Sequence, residues 1–153
     1  MTCKWKRTAY VHVGPSITTS NAYNSAENNQ RANWNNALSS AGTSVRYVKS
    51  SDKAYCKSKG VYIRGSQYGK TGWAGLMSNM SYTNASGIKK CDIQINFTYV
   101  NKYSTHNKNH VIGHEYGRGL GLAHASGKRI MHPSSYTYAN PTSADKKIIA
   151  ALY

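Results

Sequence analysis

From Cys91 to Phe97 apolar and polar side chains alternate without a break, the period of a strand with one face buried. That segment commits the chain to a sheet. Ala9-Tyr10-Val11-His12-Val13 alternates in the same way and stops at Gly14-Pro15. Ser44 to Val48 and Gly60 to Gly65 read as two further strands, and Trp73 to Met77 as a glycine-weakened one suited to a sheet edge. Between the first two strands, residues 22–41 contain neither Pro nor Gly. Ala26, Gln30, Trp34 and Leu38 recur there every four residues, with Ala37 and Ala41 widening the face, and Gly42 follows. This is an amphipathic helix with N-cap candidates in Thr18 to Asn21. A second helix is predicted from about Lys108 to Gly119, and a third from Ser143-Ala144-Asp145 through Ile148, Ile149, Leu152 and Tyr153. The order β-α-β-β-β-β-α-α predicts an α+β fold: a twisted five-stranded mixed sheet carrying three helices. No repeat or linker interrupts it, so residues 1–153 are expected to form one domain.

The charge balance is lopsided, with 20 Lys and Arg against 5 Asp and Glu, a formal +15. Such a field attracts polyanions, although the cations are scattered rather than blocked into arms. The acids are few enough that any one in a chemical pattern stands out: Glu27, Asp52, Asp92, Glu115 and Asp145. Five scattered carboxylates are a poor basis for calcium cages, so no calcium site is expected. No apolar run approaches the roughly 20 residues that span a bilayer. Met1 to Lys6 lacks the apolar stretch of a signal peptide, so the expectation is a mature domain separated from any leader or pro-segment. Cys3, Cys56 and Cys91 have no metal-ligand spacing; in an oxidising compartment their arithmetic is one disulfide and one free thiol.

The chemistry is concentrated in His114-Glu115-Tyr116-Gly117-Arg118-Gly119-Leu120-Gly121-Leu122-Ala123-His124. This stretch resembles the metzincin pattern H-E-x-x-H-x-x-G-x-x-H, matching at His114, Glu115, Gly121 and His124 and departing at Arg118. In that pattern two imidazoles one helical turn apart grip a zinc ion, and the glycine lets the chain leave the helix and return a third. Downstream, Ile130-Met131-His132-Pro133-Ser134-Ser135-Tyr136 resembles the Met-turn and pocket wall of the matrixins. The Ser143 helix and the Gly72 to Leu76 segment resemble that family's last helix and antiparallel edge strand. The resemblance implies a secreted, monomeric zinc metalloendopeptidase domain acting on proteins or peptides. It implies His114 and His124 as zinc ligands, Glu115 as general base, Met131 beneath the metal, and Tyr136 and Tyr138 at the substrate pocket. It also implies a Cys56–Cys91 disulfide, with Cys3 as a rival partner.

Arg118 stands where the second histidine ligand belongs. A guanidinium has no lone pair to donate and stays protonated. At about 5 Å and an effective dielectric near 20, it repels a zinc ion by roughly 6–7 kcal/mol. Weak zinc binding and weak or absent peptidase activity are therefore expected. His110, one turn before His114, offers an alternative imidazole but reads more simply as a helix-surface residue. His132 follows Met131 near the cleft, while His12 and His106 read as strand and loop residues. The alternative to a peptidase is a non-catalytic module that binds peptides or polyanions through the cleft and the +15 surface.

Overall fold

The protein is described by a computed structural model covering residues 3–153. In chain order its elements are β1 (Ala9–Val13), α1 (Pro15–Thr18), α2 (Asn21–Ser40), β2 (Tyr47–Lys49), α3 (Lys53–Lys59) and β3 (Val61–Ser66). They continue with β4 (Gly75–Thr83), β5 (Gly87–Asn96), α4 (Phe97–Val100), α5 (Thr105–Gly119) and α6 (Ser143–Leu152). The strands form one sheet in the order β2-β1-β3-β5-β4; the first four are mutually parallel and β4 runs antiparallel at the edge. The fold is thus α+β with a five-stranded mixed sheet, as expected.

The three long helices lie close to their expected spans. Ser20 caps α2 by accepting the Tyr23 N–H, and the buried face is the one the four-residue spacing marks: Ala26, Gln30, Trp34, Ala37 and Leu38, joined by Tyr23 and Glu27. Three short helices were not expected. Pro15 opens α1, where its fixed φ and missing N–H cost nothing. Asp52 caps α3 through the Tyr55 N–H, 2.9 Å away. Asn96 caps α4 through the Thr98 N–H at 3.1 Å, which turns Phe97 out of the strand its alternation suggests. None of the three is long enough to show a helical period.

One face of the sheet presents Val11, Val61, Ile63, Cys91 and Ile93 to the helices, and the other presents His12, Tyr62, Arg64, Asp92 and Gln94. On the helix side α2 packs against α5 where α5 has glycine, and no side chain would fit between them. A Cβ on Gly117 would overlap Met131 Sδ and stand 2.7 Å from Trp34 Cζ2. Trp34 Nε1 donates to the Gly113 carbonyl at 2.7 Å. This is what holds the site-bearing helix in place.

The expected Cys56–Cys91 bridge is not formed, and Cys3, Cys56 and Cys91 are free thiols. The sheet separates the pair. Cys91 faces α5, its sulfur 3.4 Å from where a Cβ on Gly119 would be. Cys56 belongs to α3, whose Tyr55 packs edge-on against Tyr10 on the opposite face.

Candidate metal centre

Helix α5 starts at Ser104, whose hydroxyl accepts the Asn107 N–H, and ends where Gly121 takes φ +95. A side chain there would be strained and would overlap the Cys3 carbonyl oxygen. The turn returns His124 toward the helix, its ring centroid 5.0 Å from that of His114. His114, Glu115 and His124 line one cavity of about 230 Å³ with His110, Trp73, Gly75 and Tyr136.

His114 is 7% exposed, and its Nδ1 lies 2.8 Å from the Ile130 carbonyl oxygen. Burial pushes its pKa down to about 4, helped by the neighbouring imidazoles and Arg118. The ring is therefore neutral near pH 7, with Nε2 bare. Ile130 is itself fixed, because its N–H donates to Asp145 Oδ2 at 3.0 Å. The same carboxylate oxygen accepts the Thr142 N–H at 2.9 Å and its hydroxyl at 3.0 Å, closing a capping box on α6. Asp145 carries no ligand role in the sequence reading, but it supports the ring through Ile130.

Glu115 packs against the edge strand. A Cβ on Gly75 would stand 2.8 Å from Glu115 Cγ and 3.1 Å from Oε1, so only glycine admits this carboxyl. Burial pushes its pKa up to about 7, against the pull of Arg118 and of a hydrogen bond from the Met77 backbone. A carboxyl titrating there can take up or release a proton near neutrality.

His110 is a correction to the surface reading: it is 2% exposed, with Nδ1 2.6 Å from the Tyr138 carbonyl oxygen. Tyr136 stacks on it at 4.4 Å between centroids. The four-residue spacing to His114 was the available signal, and the aromatic lid from 26 residues downstream was not. Tyr136 lines the cavity, whereas Tyr138 reaches it only through the carbonyl bonded to His110. Met131 is fully buried under α5 against Gly117. His132 Nδ1 accepts the N–H groups of Ser134 and Ser135, bracing the turn outside the cavity. His106 and His12 bond to the carbonyls of Tyr136 and Ser50.

Two imidazoles sharing a tetrahedral metal at about 2.0–2.1 Å hold their centroids roughly 5 Å apart, so His114 and His124 suit a zinc ion. Position 118 does not. The Arg118 guanidinium donates through Nη1 to the Leu122 carbonyl at 2.8 Å and supplies charge instead of a lone pair. Among the described residues no three His, Cys, Asp or Glu side chains converge closely enough to hold a metal. The donors present fall one short of a catalytic zinc centre.

Neither a scan against protein-family models nor a search of curated proteins returns a match to this chain.

Proposed function

We propose that this chain is the catalytic domain of a matrixin-like zinc metalloendopeptidase whose metal centre is disabled at one ligand by Arg118. The observation that carries this reading is the meeting of His114, Glu115 and His124 in one cavity at a glycine-turned helix end. The buried Met131 behind α5 and the antiparallel edge strand beside the cavity support it. The outer edge of β4 offers unpaired backbone groups, on which an extended peptide would add as a sixth strand. Trp73, Ala74 and Gly75 would hold that peptide over the cavity, with Tyr136 on its far wall.

In this reading Glu115 is the proton acceptor for a water attacking the peptide carbonyl, and its place in the cavity beside the two imidazoles suits that task. Arg118 leaves the machinery assembled and short of one donor. Secretion rests on the family resemblance alone, since the free thiols require no oxidising compartment. No helix among the described residues is long and apolar enough to cross a membrane.

A second reading has its own support. Arg118 is held by the Leu122 carbonyl beside His114 and His124, so a peptide-binding module without turnover would carry a fixed cation there in place of a metal. Arg118→His separates the two. The peptidase reading expects stoichiometric zinc by atomic absorption and chelator-sensitive cleavage of casein. Zinc uptake with no cleavage of any protein or peptide overturns it in favour of the module. Stoichiometric zinc and cleavage by the unaltered protein overturn the role given to Arg118.

A further inference from the structure

The sheet face turned away from the site gathers charge in a way the core does not require. Tyr62 of β3 has three cations around its ring: Arg64 Cζ at 4.9 Å from the centroid, Lys53 Nζ at 5.4 Å and Lys57 Nζ at 6.0 Å. His12 lies 5.7 Å from the same ring. Lys53 and Lys57 are four residues apart on α3, an arrangement that is itself repulsive. The ring offsets part of that repulsion through cation–π attraction, and no carboxylate does. The one ion pair among the described residues is Arg31–Glu27, on a different helix.

The two acids nearest in sequence and register form no ion pair with these cations and accept from neutral donors. Asp52 caps α3 through the Tyr55 N–H, and Asp92, beside Tyr62 in the sheet register, accepts from Asn79 Nδ2 at 2.8 Å. Three cations thus share this half-buried face with the carboxylates of Asp52 and Asp92, and the excess of positive charge binds anions when they are spaced along a polymer.

We propose that Lys53, Lys57 and Arg64 form the binding surface for a sulfated polysaccharide. Charge complementarity selects a polyanion, and the state of the rings selects its class. Tyr62 is 8% exposed beneath its own cations, and Tyr10 already meets Tyr55 edge-on at 5.9 Å. Tyr10, 39% exposed, is the one open ring of this cluster, so nucleic acid bases find no pair of platforms there, whereas sulfates need only the point charges. The surface lies across the sheet from the cavity, so binding would leave the cleft open to peptide.

The test uses immobilised heparin and the full chain. The unaltered protein binds at about 50 mM salt and releases steeply as salt rises. Lys53→Gln/Lys57→Gln/Arg64→Gln lowers affinity by about tenfold or more, whereas Lys128→Gln/Lys146→Gln/Lys147→Gln, which removes the same charge elsewhere, changes it less than about threefold. Circular dichroism and thermal melting verify that both variants fold; if the first does not, Lys53→Gln/Lys57→Gln on exposed α3 replaces it. Equal losses from the two triple variants, or no heparin binding at low salt, overturn the proposal. Tighter binding to single-stranded DNA than to heparin overturns the glycan as occupant.

Discussion

The Nδ1 of His114 sits 2.8 Å from the Ile130 carbonyl oxygen, and a carbonyl can only accept, so the ring carries its proton on Nδ1 and leaves Nε2 free. The partner of Ile130 on its other side is Asp145. Asp145→Ala should therefore do two things. It should cost about 1–3 kcal/mol by chemical denaturation, because buried N–H groups lose their acceptor and α6 loses its cap. It should also turn the single-tautomer ¹⁵N signature of His114 into a mixture. An unchanged tautomer would reduce Asp145 to a helix cap.

Glu115 is separable from the ligands. In the Arg118→His protein, Glu115→Ala should keep zinc at one equivalent and lower turnover by about a hundredfold or more, since the donors stay and the proton acceptor goes. Retained turnover would mean that another group accepts the proton.

In metal-free protein, His114 and Glu115 should pull stability in opposite directions with pH. Glu115 has a folded pKa raised from 4.5 to about 7, so above pH 4.5 the unfolded chain loses this proton first and stability falls until about pH 7. His114 has its folded pKa lowered from 6.5 to about 4, so the unfolded chain holds the extra proton and stability rises with pH between about 4 and 6.5. Each effect is on the order of 3 kcal/mol. Between pH 4.5 and 6.5 the two slopes offset each other, so Glu115→Gln should unmask a rise of stability with pH and His114→Gln a fall. Urea midpoints across that range check both signs.

Gly75→Ala tests how tightly the edge strand is fitted to Glu115. The new methyl would stand 2.8 Å from Glu115 Cγ and 2.9 Å from Val111 Cγ1, so the carboxyl or the strand must move. In the Arg118→His background zinc content should hold while kcat falls about ten- to a hundredfold. Equal loss of zinc would place the damage in the fold instead.

The thiols give a simple prediction. Cys56 and Cys91 are fully buried on opposite faces of the sheet, and burial raises both pKa values, that of Cys91 to about 12. Alkylation after unfolding without reductant should label all the cysteines, and dithiothreitol should leave the melting temperature unchanged. A mass lower by two hydrogens would restore the bridge.

Much of this was readable from residue order. The alternation of residues 91–97 and the four-residue spacing of Ala26, Gln30, Trp34 and Leu38 reflect burial on one face, so they gave β5 and α2 directly. Helices α1, α3 and α4 escaped because caps and a proline define them, and four to seven residues are too few to display a period. Gly121 was legible as a turn because its conformation is a local property. The burial of His110 was not, since it depends on Tyr136 and Tyr138 folding back over the helix. The cysteine pairing failed for a related reason: neighbouring strands share a register, and register does not say which face a helix will cover.

The glycines of α5 have a consequence for how the molecule comes apart. Gly113, Gly117 and Gly119 each cost helix propensity of about 1 kcal/mol, so this segment has little reason to be helical alone. It is helical because Trp34, Gln30 and Met131 close on its bare backbone. His114 and Glu115 thus ride on an element that depends on its neighbours for its form. Its amides should owe their protection from exchange to the packing of α2 and Met131, so loosening that contact should speed exchange along the whole of α5.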